Sequence, residues 1–210
     1  MMRRTERRTY VQRKRAADRE QTRRRIVQAT MELHEDLGAA RTSISAIAER
    51  AGVQRLTVYR HFPDDAALLH ACTSRWLELN PPPADSTWDG DADPEARVRA
   101  ALAAYYAYYR RTRRMWQSSY RDIDLVPALA ERMAQVEAHL DRVAGRLVAP
   151  FRRRGKAGKH SRIVARHGLQ FSTWQSLAGA GLADAAAATL VARWVVVAGQ
   201  AAGPSPRARA

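Results

Sequence analysis

Gln54, Arg55, Thr57, Tyr59 and Arg60 gather an amide, two guanidinium groups, a hydroxyl and a phenol into one short stretch interrupted by Leu56 and Val58. Such groups donate to and accept from base edges and phosphates, and a helix that carries them is narrow enough to enter the major groove of DNA. His61 extends the set by one more ring nitrogen donor. The spacing predicts that Val58 faces inward with Val53 and Phe62, so that the polar side chains are left outside.

A helix of this kind needs something to aim it. Ile44, Ile47, Ala48 and Ala51 recur at helical spacing just upstream, and Ser43 stands where its hydroxyl can cap the first free amides. Gly52 then supplies the left-handed backbone conformation of a sharp turn, and Val53 plugs the angle between the two helices. An earlier helix is marked by Ile26, Ala29, Leu33 and Leu37 and closed by Gly38. A fourth begins after Pro63 with Asp64 as its cap, runs through Leu68, Leu69, Cys72, Trp76 and Leu79, and stops at Pro81, Pro82 and Pro83.

These segments, RRRIVQATMELHEDLGAART, SISAIAERAGV and TVYRHFPDDAALL, together resemble the N-terminal domain of the TetR family of transcriptional regulators, over roughly a quarter of the chain. The resemblance implies an all-α protein with an N-terminal three-helix, helix-turn-helix DNA-binding domain followed by a larger helical ligand-binding and dimerisation domain. It implies a homodimer on a palindromic operator in double-stranded DNA, acting as a repressor released by a small-molecule effector. Carried over position by position, Ser45, Arg55, Leu56, Thr57 and Tyr59 take base-reading places. Ser43, Tyr59 and His61 take backbone-contact places, and Gln54 and Arg60 complete the face. Leu56 stands where the family often has a small residue or proline, and it is expected either to add contact with a thymine methyl or to narrow the sites accepted. Asp65 stands where most members carry a phosphate-binding lysine, so it is expected to serve the N-terminus of the fourth helix instead.

The 210 residues carry 36 Lys and Arg against 21 Asp and Glu, a formal charge of +15. That excess favours a polyanionic partner. Seven basic residues (Arg3, Arg4, Arg7, Arg8, Arg13, Lys14 and Arg15) precede Ala16 with almost nothing to bury, and residues 1–17 are read as a disordered basic arm. Cys72 is the only cysteine, which excludes an internal disulfide and suits a reducing compartment. With a charged N-terminus and no apolar leader segment, a cytoplasmic location is expected. The apolar run Leu177 to Ala202 is interrupted by Asp184 and Arg193, each costly at a bilayer centre, so no membrane association is expected.

The domain reading places the helix-turn-helix domain at 18–80, an acidic linker loop at 81–93, the second domain at 94–202 and a disordered tail at 203–210. The second domain is expected to hold helices at roughly 94–113, 114–121, 125–152, 159–179 and 184–200. Tyr105, Tyr109, Trp116 and Tyr120, with His167, Phe171 and Trp174, form stripes suited to the wall of an effector pocket, though such stripes also build cores. Leu190, Val191, Trp194 and Val195 form an apolar stripe suited to pairing two copies.

Enzyme signatures are missing: G-x-S-x-G, H-E-x-x-H and paired Cys/His zinc spacings do not occur. Asp89 to Asp93 imitates the start of a calcium loop, but Pro94 takes the glycine position and Ala100 the bidentate glutamate position. GKAGKHS lacks the spacing and preceding strand of a phosphate loop. No enzyme activity, cofactor or metal is expected. Two other readings stay open at this level: a ligand-independent basic protein that coats DNA, and an enzyme or carrier that uses a helical cavity.

Overall fold

The computed structural model describes residues 2–90, 93–151 and 155–200, with side chains described from Tyr10 onward. The expected tail at 203–210 and the side chains of Arg3, Arg4, Arg7 and Arg8 lie outside the described residues, as does Asp91 of the acidic loop. The helices are α1 (Met2–Asp36), α2 (Ile44–Ala51), α3 (Arg55–His61), α4 (Asp65–Leu79), α5 (Pro94–Asp122), α6 (Pro127–Val148), α7 (Gly155–Gly168), α8 (Phe171–Gly179) and α9 (Asp184–Gln200). No strand occurs among the described residues.

The chain divides into two units: Met1–Asn80 with Gln117–Arg132, and Pro81–Trp116 with Met133–Ala210. In the first, α1 buries Ile26, Val27, Ala29 and Leu33 against α2 and α4, and Leu68, Leu69, Cys72 and Trp76 of α4 close the core. Leu37 lies one residue beyond the end of α1 and is exposed, while His34 takes the inward place on the last turn. The buried Thr30 hydroxyl donates back to the Ile26 carbonyl at 2.8 Å.

Where the sequence reading places a disordered arm, α1 instead runs unbroken from Met2. The segment has no apolar face to bury, but it also has no glycine or proline before Gly38, and Arg, Lys, Gln, Glu and Ala are strong helix formers that extend an already nucleated helix.

The second unit is built on α5, whose Val98, Ala101, Leu102, Tyr105, Tyr106, Tyr108 and Tyr109 are all buried. The expected break between residues 113 and 114 is a kink at Thr112, with φ −111° and ψ 16°, inside one helix. Its hydroxyl donates to the Tyr108 carbonyl at 2.6 Å, a back-bond of the kind that bends helices.

The single helix expected at 159–179 is two, α7 and α8, parted at Leu169 and Gln170. Tyr106 and Tyr109 donate their hydroxyls to the carbonyls of Gly168 (2.9 Å) and Leu169 (2.7 Å). Orphan acceptors at the end of α7 are thereby satisfied from another helix, and the chain is free to turn. α7 packs on α9 so closely that a Cβ on Gly168 would lie 2.4 Å from Val191 Cγ1. Asp184, the first residue of α9, accepts two bonds of 2.7 Å from Arg110 and one of 2.9 Å from Trp174 Nε1, which ties α5, α8 and α9 together.

Candidate nucleic-acid interface

The turn that aims α3 is built as its residue types require. Ser43 Oγ accepts from the Ala46 amide at 3.1 Å, and Gly52 is left-handed at φ 65°, ψ 42°. Its amide and that of Val53 donate to carbonyls at the end of α2, which closes the turn. Val58 and Phe62 are buried, and they fix the rotation of α3 about its axis.

That rotation decides what faces outward. Gln54, Arg55, Leu56, Tyr59 and Arg60 are exposed, Thr57 and His61 half-buried. Leu56 is 58% and Tyr59 42% exposed, high values for side chains of their apolar content. On α2, Ser45 is exposed as well, beside the capping Ser43. The structure therefore brings all nine sequence-predicted residues to the α2–α3 segment, with none of them in the core.

Asp64 caps α4, accepting from the Ala67 amide at 2.7 Å, and Asp65 occupies the first helical position. A carboxylate there complements the positive end of the helix dipole. Sequence reasoning passed over Arg19 and Arg23 of α1, which stand next to His61. Burial first, then the charges of Arg19 and Arg23, hold the His61 imidazole below its ordinary pKa, against a smaller opposing pull from Glu20. The Arg23 guanidinium lies over the Phe62 ring, 5.0 Å from its centroid. The signal in the sequence was the spacing of Arg15, Arg19 and Arg23 at successive helical turns.

Residues 26–72 match the family model described as bacterial regulatory proteins, tetR family. That stretch is similar to the tetR family of bacterial regulatory proteins. The TetR likeness extends in fold to the rest of the molecule: a TetR-like transcriptional regulator from Rhodococcus sp. RHA1 superposes with a TM-score of 0.65 at 20% identity, over 87% of this chain and 97% of that one. Another transcriptional regulator from Rhodococcus sp. RHA1 gives 0.56 at 16% identity, covering 88% and 99%. A fatty acid degradation regulator from Bacillus halodurans gives 0.55 at 14% identity, covering 82% and 93%. No curated protein matches the chain in sequence.

In the second unit of this TetR-like fold, Tyr105, Tyr109, Trp116, Phe171 and Trp174 join one buried aromatic cluster. Tyr109 lies at its centre, with ring centroids 5.5 Å from Phe171, 5.7 Å from Trp116 and 6.1 Å from Trp174. The other two expected members differ in their placement. His167 is exposed, its Nδ1 3.1 Å from Gln170 Oε1, because it follows the outer face of α7. Tyr120 falls in the other unit.

Trp88 was missed. It is buried against Tyr105 at 6.0 Å, and its Nε1 has no hydrogen-bond partner among the described residues. A lone tryptophan in a loop of Pro, Asp and Gly was the available signal. Across from it, the Tyr105 hydroxyl and His139 Nε2 are 3.0 Å apart.

The pairing stripe on α9 divides in two. Val191 and Val195 are buried within their own chain beneath α7, where Ser161 Oγ also donates to the Val195 carbonyl at 3.1 Å. Both are thus corrected from interface to core. Leu190 and Trp194 face out, Trp194 with 42% exposure, and Val197 and Ile163 are exposed too. Among the described residues no helix is long and apolar enough to cross a membrane, and no group of three or more metal-ligating side chains is gathered.

Proposed function

We propose that this chain is a homodimeric transcriptional repressor that reads a palindromic operator with α3 and is released by a small, largely apolar effector. The observation that carries the DNA reading is the sorting of α3 into a buried Val58 and an outward set of Gln54, Arg55, Leu56, Tyr59 and Arg60. A domain that only needed to fold would have no reason to hold Leu56 and Tyr59 in water on a face of donors, whereas base edges and thymine methyls supply partners for both kinds of group.

Two copies are needed to place two such helices in successive major grooves, roughly 34–36 Å apart. Exposed Leu190, Trp194 and Val197 on α9 and Ile163 on α7 support self-pairing, since a symmetric pair buries the same patch twice. For the effector, the aromatic cluster with the unpartnered Trp88 Nε1 supports an apolar molecule that carries a hydrogen-bond acceptor.

Selection of bound duplexes from a random pool, followed by mapping of bound sites in genomic DNA, tests the reading. Enrichment of a short palindrome and a few sharp sites supports it. A broad, sequence-indifferent distribution points instead to a DNA-coating protein.

A further inference from the structure

Beside the reading head lies an open cleft of about 510 Å³, lined by Arg15, Ala16, Arg19, Glu20 and Arg23 of α1 and by His61 at the end of α3. The three arginines follow one another every fourth residue, so they share one face of α1. Among the described residues none of them forms an ion pair. Glu20, the one carboxylate in the lining, is engaged by Arg24 at 3.1 Å on the adjoining face. Arg23 is held in place by the Phe62 ring, an attraction that leaves its charge and its in-plane N–H donors available.

We infer that this cleft is a seat for a backbone phosphodiester of the bound duplex, gripped by Arg15, Arg19, Arg23 and His61. The inference rests on α3 being the DNA reader. The occupant is an anion because three guanidinium groups line the cleft against a single carboxylate, Glu20, which Arg24 already engages. It is a tetrahedral oxyanion on a polymer because the cleft is open along α1 and adjoins the helix that carries the base-reading side chains.

His61 sharpens the assignment. Facing it are Arg19, Arg23 and Glu20, and without DNA the two arginines help keep the ring neutral. A phosphate between them reverses that balance, so seating it draws a proton onto the imidazole. Binding then tightens as pH falls, and only while His61 is present.

The test uses the full-length chain, with binding followed by fluorescence anisotropy on two probes: a mixed-sequence 30-base-pair duplex and the selected palindrome. The double variant Arg19→Ala, Arg23→Ala is compared with Arg99→Ala, Arg142→Ala, which removes the same charge from exposed positions in the second unit. The seat predicts that the α1 variant alone flattens the slope of log affinity against log salt by about one unit per bound protomer, because every phosphate neutralised by the protein adds about 0.9 to that slope. It further predicts that affinity rises between pH 7.5 and 6 in the parent and not in His61→Gln.

Replacing single palindrome phosphates by neutral methylphosphonates should weaken the parent severalfold at one position beside each half-site and leave the α1 variant unmoved there. Equal slopes in the two double variants would overturn the seat while leaving DNA reading intact. Loss of all duplex binding by the parent would instead remove the reading on which it rests. If millimolar inorganic phosphate shifts the His61 ring resonances while no methylphosphonate position matters, the cleft holds free anions and the DNA assignment is wrong.

Discussion

Asp122, the last residue of α5, accepts a 3.0 Å hydrogen bond from the amide of Ala40, in the turn that leads from α1 to α2. Its neighbour Arg121 donates to the Leu37 carbonyl at 2.6 Å and also pairs with the Asp122 carboxylate, which is almost fully buried. The end of α5 is thus fastened to the segment that delivers the reading helices. Gly38 leaves the room for this: its φ of +91° disfavours any side chain, and a Cβ there would fall 2.1 Å from Asp122 Oδ2. Gly38→Ala is expected to cost the first unit roughly 2 kcal/mol, and Asp122→Ala about 1–3 kcal/mol through the abandoned Ala40 amide. Urea unfolding followed by hydrogen exchange in α1 and α4 checks both. Unchanged protection in Gly38→Ala would show that the fastening is dispensable.

His34 gives the same unit a dependence on pH. Burial, only partly offset by Asp122, pushes its pKa down to about 4, and its Nδ1 sits 3.7 Å from the Cys72 thiol, itself pushed up to about 12 by burial. A histidine kept neutral in the fold binds its proton more readily in the unfolded chain. Stability is therefore fully present above about pH 6.5 and lost as pH falls from there towards 4, by up to about 3 kcal/mol. Unfolding measured at pH 7, 6 and 5 should show the decline, and His34→Gln should flatten it.

On α3, Tyr59→Ala and Arg55→Ala should each weaken binding to the selected palindrome by about 1–3 kcal/mol and binding to unrelated DNA far less. Both side chains are exposed, so circular dichroism and melting should match the parent. Equal losses on all DNA would mean that these residues touch phosphates only.

Assembly is tested on the exposed half of the α9 stripe. Leu190→Glu with Trp194→Glu should give monomers in sedimentation at micromolar concentration, with the fold kept and palindrome binding lost. Val195→Glu should instead unfold the second unit, because that side chain is sealed under α7. A monomeric parent at the same concentration would remove homodimerisation from the proposed function.

The contrast between these variants shows where reading a sequence stops. Local signals were enough for the reading head: the Ser43 cap, the Gly52 turn and the spacing of Ile47, Ala48 and Val58 act within a few residues of one another. Leu190, Val191, Trp194 and Val195 look alike in the sequence, and which of them is core depends on where α7 lies. That in turn rests on the missing side chain of Gly168. The break at Gln170 was hidden for a similar reason, since no proline marks it and the tyrosines that satisfy the freed carbonyls come from about 60 residues upstream, as the separations of 62 and 60 show. At the N-terminus the absence of an apolar face outweighed helix propensity in the reading, and the structure resolves that conflict the other way.

Because α1 is unbroken, Arg15 and the side chains from Tyr10 up to it are phase-locked to the Ile26, Ala29 and Leu33 stripe that docks the helix. Position around the axis is therefore inherited from a packing register that lies a few turns away. One residue inserted between Ala16 and Ala17 would turn the upstream helix by about 100° with charge and composition nearly unchanged, whereas four inserted residues would bring it back to within about 40° of its start. For this chain the angular bookkeeping of a helix, as much as the number of its arginines, decides where positive charge is delivered.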